Sequence, residues 1–181
     1  FTHFWEQYKL DSLSGQWDYI ESALFGYAVG VVVESYTNFY LTQQQAVAQF
    51  HEWMTGAGVL YLKEKAPHIA TAFTTHATVL GRSIAGNGLP LYQSIGTFDP
   101  DQKAREIGVS AKHSLEKNAS IEADVFTTVS KVTANECEFL LNNKPDFITP
   151  NGFALENIDE ITDKLILKAR KTLCQVTNAL T

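Results

Sequence analysis

Apolar positions along the 181-residue chain come in short runs, each closed by a polar break. From Tyr19 to about Tyr40 the residues Ala23, Leu24, Tyr27 and Val31 recur at the three- and four-residue steps of a helix. This stretch is apolar on several sides, which predicts a well-buried helix. Ala46 to Phe50 then reads as a strand that stops at His51-Glu-Trp53. Gly56 to Lys65 fits a helix that Pro67 prevents from continuing. Ile69 to Phe73 is a second strand, ending in the polar run from Thr74 to Thr78. Thr78 to Ala85 fits a short helix closed by the Gly86-Asn-Gly88 turn. A polar loop follows to about Pro100, after which Ala104, Ile107, Ala111 and Leu115 draw one face of a single long helix. Asp124 to Thr128 is a third strand. Ser130 or Thr133 caps the helix after it, and Thr133 with Glu136 makes the better capping box. Phe147 to Thr149 is a last short strand, before Pro150-Asn-Gly152. Ile158, Ile161, Leu165, Ala169, Leu173 and Val176 draw a final amphipathic stripe.

Strand and helix in repeated alternation predict an α/β fold: a Rossmann-like parallel sheet with crossover helices. Such sheets bind ligands beyond the carboxyl ends of their strands. The polar signals fall there: His51-Glu52, Thr75-His76, Thr128 to Ser130, and Asn151-Gly152. Every strand also has to leave the core through polar residues, so position alone does not make these a site.

Composition narrows the function classes. The formal charge is -6 and the basic residues are scattered, which disfavours nucleic acid or an anionic membrane as partner. No apolar run approaches the ~20 residues that a membrane span needs. Cys137 and Cys174 stand far apart, and the five histidines show no metal-ligand spacing, so neither a metal nor a disulfide framework is expected. No signal peptide is recognisable and the chain opens on Phe1, as a fragment of a cytoplasmic protein would. There is no P-loop, no GxGxxG and no GxSxG elbow.

Four segments carry a specific pattern. They are Phe50-His-Glu-Trp-Met-Thr-Gly56, Ala72-Phe-Thr-Thr-His-Ala-Thr-Val-Leu-Gly-Arg82, Val125-Phe-Thr-Thr-Val-Ser-Lys-Val-Thr-Ala134 and Lys144-Pro-Asp-Phe-Ile-Thr-Pro-Asn-Gly152. In order and spacing, from about residue 19 to 155, they resemble the glycogen synthases of the animal and fungal type. The upstream Ala23-Leu-Phe-Gly-Tyr27 and Glu34 match more loosely. The resemblance implies two Rossmann-like domains facing across a cleft. It also implies transfer of glucose from UDP-glucose to the non-reducing end of an α-1,4-glucan, with retention and with no cofactor. Residues 1–155 then correspond to part of the N-terminal domain, and 156–181 to a helix leading toward the second. Relative to the family, the first strand with its glycine-rich loop is missing, and so is the C-terminal domain with its diphosphate-binding and acidic catalytic groups. A fragment of this kind is expected to be inactive alone.

The resemblance makes His76 the catalytic candidate, a hydrogen-bond donor where charge develops as the bond from glucose to phosphate breaks. Taken by itself, a His after a strand is more often a satisfied structural group. Arg82, just over one helical turn beyond Thr78, would face the diphosphate or the glucose, where a planar fork suits phosphate oxygens. The alternative is a solvated helix arginine. Glu52 could orient an acceptor hydroxyl or pair with a nearby cation, and His51 stands beside it at the strand end. Asn151 could touch sugar hydroxyls or hold its loop, and Gly152 suits a conformation that a side chain would hinder. The helix opened by Ser130 or Thr133 could also face a phosphate. Two other functions fit the same pattern: a different retaining glycosyltransferase of the two-domain build, and a non-catalytic interaction domain using the last helix, which would also suit a homo-oligomer.

Overall fold

The computed structural model describes residues 2–152, so the expected helix from Ile158 to Val176 and Cys174 lie outside the described residues. One compact unit runs to Pro150 and a second begins at Asn151. In the first unit the elements are α1 (Thr2–Tyr8), α2 (Trp17–Tyr40), β1 (Val47–His51), α3 (Gly56–Lys65), β2 (Ala70–Thr75), α4 (Val79–Gly86), α5 (Leu91–Ser94), α6 (Pro100–Ile107), α7 (Ser110–Glu122), β3 (Val125–Thr128), α8 (Lys131–Leu140) and β4 (Phe147–Ile148). The four strands form one parallel sheet in the order β1-β2-β3-β4. Parallel neighbours need crossovers, and α3, the α4 to α7 group and α8 supply them.

The register explains the core. Phe50, Phe73 and Phe126 lie side by side on β1, β2 and β3. Their rings pack with Val59, Leu62, Ala119, Cys137 and Leu141 from α3, α7 and the end of α8. Each of these Phe, Val and Leu side chains contributes about 1.5–3 kcal/mol by leaving water. Toward the carboxyl ends the strands turn to threonine, and these buried hydroxyls are paired. Thr74 Oγ1 lies 2.8 Å from Thr127 Oγ1, and the Thr128 hydroxyl donates to the Thr75 carbonyl at 2.8 Å.

Three sequence expectations change. First, α2 is not buried on several sides. Its inward stripe is Tyr19, Ala23, Gly26, Gly30 and Thr37, while Leu24, Phe25, Val32, Phe39 and Tyr40 are exposed. The cause is close backbone approach: a Cβ on Gly58 of α3 would stand 2.4 Å from Phe50 Cε1 and 2.8 Å from the Gly26 carbonyl oxygen. Small residues therefore form the seam, and the large apolar ones are left outside. Second, the single helix over 104 to 115 is two. Gly108 ends α6 at φ +80°, a conformation that disfavours any side chain, and α7 restarts at Ser110. The expected inward residues Ala104, Ala111 and Leu115 are buried all the same. Third, Ser130, not Thr133, caps α8: its hydroxyl accepts the Thr133 N–H at 3.1 Å. Glu136 is thereby free to work elsewhere.

Candidate functional site

The parallel register sets His51 beside Thr74 and Thr75 beside Thr128, so the polar ends of three strands share one edge of the sheet. At that edge four of the six candidate residues meet. His51 Nδ1 and His76 Nε2 are 3.0 Å apart. One ring donates and the other accepts. The backbone N–H of His76 donates to Glu52 Oε1 at 3.2 Å, and Arg82 Nη2 donates to the same oxygen at 3.1 Å. Glu52 thus ties the end of β1 to the turn after β2 and to α4. The Arg82 side chain is 59 % exposed and the Glu52 side chain 15 %, so the guanidinium keeps most of its fork toward solvent. Glu52 has φ 64° and ψ 161°, a backbone region proper to glycine.

The other two candidates are Asn151 and Gly152. Both are exposed and belong to the second unit.

Sequence reasoning missed the groups beneath the cluster. Glu116 of α7 is fully buried. Its carboxyl accepts the Thr75 hydroxyl on Oε1 and the Val79 N–H on Oε2, both at 2.8 Å. Burial pushes this carboxyl up to about 8, against the opposing pull of the Val79 and Thr75 bonds. Glu136 of α8 accepts the Thr78 hydroxyl at 2.9 Å and the Tyr92 hydroxyl at 2.8 Å. Thr78 also caps α4, accepting the Gly81 N–H at 3.1 Å. The available signal was a Glu directly after Leu115 on the buried face of a helix.

Comparison with known proteins places the chain in a family. The glycogen synthase family profile matches residues 1–172. The chain belongs to the glycogen synthase family. Among similar glycogen [starch] synthases, that of Dictyostelium discoideum is 35 % identical over 150 residues, covering 83 % of this chain and 17 % of that protein. The liver enzyme of Mus musculus is 39 % identical over 118 residues, covering 65 % of this chain and 17 % of that protein. Isoform 1 of Saccharomyces cerevisiae is 40 % identical over 126 residues, covering 69 % and 18 %. The chain therefore spans under a fifth of the length of these relatives. Within this glycogen synthase segment, no described helix is long and apolar enough to cross a membrane. Among the described residues, no group of three or more His, Cys, Asp and Glu is arranged to hold a metal ion.

Proposed function

We propose that this chain forms one wall of a cleft in which glucose passes from UDP-glucose to the non-reducing end of an α-1,4-glucan, with retention. The meeting of His51, Glu52, His76 and Arg82 beyond the carboxyl ends of parallel strands is the observation that supports it most. In this reading Arg82 offers the rest of its guanidinium to phosphate oxygens, with Glu52 holding Nη2. His76, oriented by His51, donates to the glucose as the bond to phosphate stretches. The partners are a nucleotide sugar and a glucan in the cytoplasm, with no nucleic acid. The exposed apolar residues Val32 and Phe39 of α2 and Val47 of β1 would serve a homo-oligomer, which sedimentation velocity tests.

The groups that hold the diphosphate and the catalytic acid belong, in this reading, to a second domain, so the 181-residue chain alone transfers no glucose. In a longer polypeptide that carries that domain, His76→Ala should lower kcat by ~10²–10³ and leave KM for the sugar nucleotide nearly unchanged. A well-folded His76→Ala enzyme with near-normal kcat sinks the assignment.

A further inference from the structure

The turn from Thr75 to Val79 carries His76, and it is gripped from below at almost every residue. Glu116 takes the Thr75 hydroxyl and the Val79 N–H at its two ends. Glu136 takes the Thr78 hydroxyl, and the Thr133 hydroxyl reaches the His76 carbonyl at 3.4 Å. Thr75 and Thr78 thus turn inward to buried carboxyls, and His76 is the polar side chain of the turn that reaches His51 instead. The fit is tight, because a Cβ on Gly81 would stand 2.7 Å from Glu136 Oε2 and 2.5 Å from Thr78 Oγ1. A strand-to-helix turn needs only its cap, which Thr78 already supplies. Sinking two further carboxyls beneath it lowers stability unless each is fully bonded. Such a cost is warranted where the angle of one side chain matters, since a displacement of about 1 Å at a reacting group can lower a rate ~10²-fold.

We infer that Glu116 and Glu136 are positioning residues for His76: from α7 and α8 they hold the Thr75–Val79 turn in the one shape that aims its imidazole at His51 and the strand ends. The inference rests on the proposed role of His76, and its test separates the two. Glutamine keeps the shape and can still bond, its amide N–H donating to the threonine oxygen while its carbonyl accepts the other partner. Leucine cannot.

The first readout uses the 181-residue chain and no activity. In Glu116→Leu the Val79 amide should exchange at least ~10-fold faster, and the His51 and His76 imidazole nitrogen resonances should shift, while Glu116→Gln restores both. Thr75→Val, which removes one hydroxyl only, gives the same shifts at smaller size should Glu116→Leu fail to fold. The second readout is transfer by the longer polypeptide. There Glu116→Leu and Glu136→Leu should lower kcat ~10- to 100-fold with KM for the sugar nucleotide within about threefold, and the glutamine variants should stay near wild type. Folded leucine variants with unshifted imidazole signals, or with kcat near wild type while His76→Ala is inactive, overturn the proposal. A silent His76→Ala overturns the transfer reading instead, and the imidazole shifts still decide whether the carboxyls set the turn.

Discussion

Glu116→Gln tests the energetics beneath the site. Burial holds the Glu116 carboxyl at about 8, against an ordinary 4.5. The Val79 N–H, the Thr75 hydroxyl and Arg82 pull it down, while Glu52 adds to the rise. Between those two values the folded protein binds one proton more than the unfolded chain. Stability therefore falls as pH rises through this window, by about 1.4 kcal/mol per unit. Glutamine has no proton to lose and keeps the bonding shape. Between about pH 5 and about pH 7.5 the wild type should thus lose roughly 3 kcal/mol relative to Glu116→Gln. That is a large part of the ~5–15 kcal/mol that holds a domain folded. Urea unfolding of both proteins across this range, followed by tryptophan fluorescence, measures the difference directly, and other titrating groups cancel. A difference that stays flat within ~0.5 kcal/mol would show that Glu116 ionises normally in the folded state, and would remove the argument for a dry carboxyl under the turn.

Two further outcomes follow from packing. Gly58→Ala forces a methyl group against Phe50 and the Gly26 carbonyl, and should cost about 1–3 kcal/mol by thermal unfolding, whereas Gly86→Ala, which meets no atom within 4 Å, should not destabilise the fold. Cys137 is fully buried, and burial, with Glu116 and Glu136 nearby, pushes its thiol well above the ordinary range. In a Cys174→Ser background, the remaining thiol should resist alkylation at mild alkaline pH until urea unfolds the chain; prompt reaction in the native state would contradict this burial.

What the sequence disclosed depended on which residues carry a signal. The strands and α3 stood out because their apolar runs end at Pro67 or at polar clusters, and α3 spans the expected Gly56–Lys65. The inward face of α2 was hidden because Gly26 and Gly30 register as neither apolar nor polar. The larger side chains on the opposite faces drew a stronger pattern that points to solvent. Gly108 marked a break that the continuous stripe over Ala104 to Leu115 concealed, since both helices keep that stripe inward. For the site, the motif identified His51, Glu52, His76 and Arg82, and the parallel register brought them together. Glu116 escaped because a charged residue on a helix is ordinarily read as solvated, and only the fold shows that Thr75 and Val79 wait for it.

Glu52 carries the last test, because its backbone and its carboxylate pull in opposite directions. At φ 64° and ψ 161° it occupies a region that costs a non-glycine residue on the order of 1–3 kcal/mol. It stays there because it is pinned on every side. Its N–H donates to the Thr74 carbonyl at 2.9 Å, its own carbonyl accepts the Thr55 N–H at 3.1 Å, and its carboxylate holds the His76 N–H and Arg82. The ion pair itself contributes little, because the Arg82 side chain is 59 % exposed to solvent. Glycine at this position relieves the strain and alanine does not, while both remove the same carboxylate. Glu52→Gly should therefore be more stable than Glu52→Ala by about 1 kcal/mol or more, although glycine normally weakens a chain through backbone entropy. Chemical unfolding of the two variants at one pH measures that order. An alanine variant equal to or more stable than the glycine variant would mean that the backbone at Glu52 is relaxed, and that the strand end is not held in tension around the site.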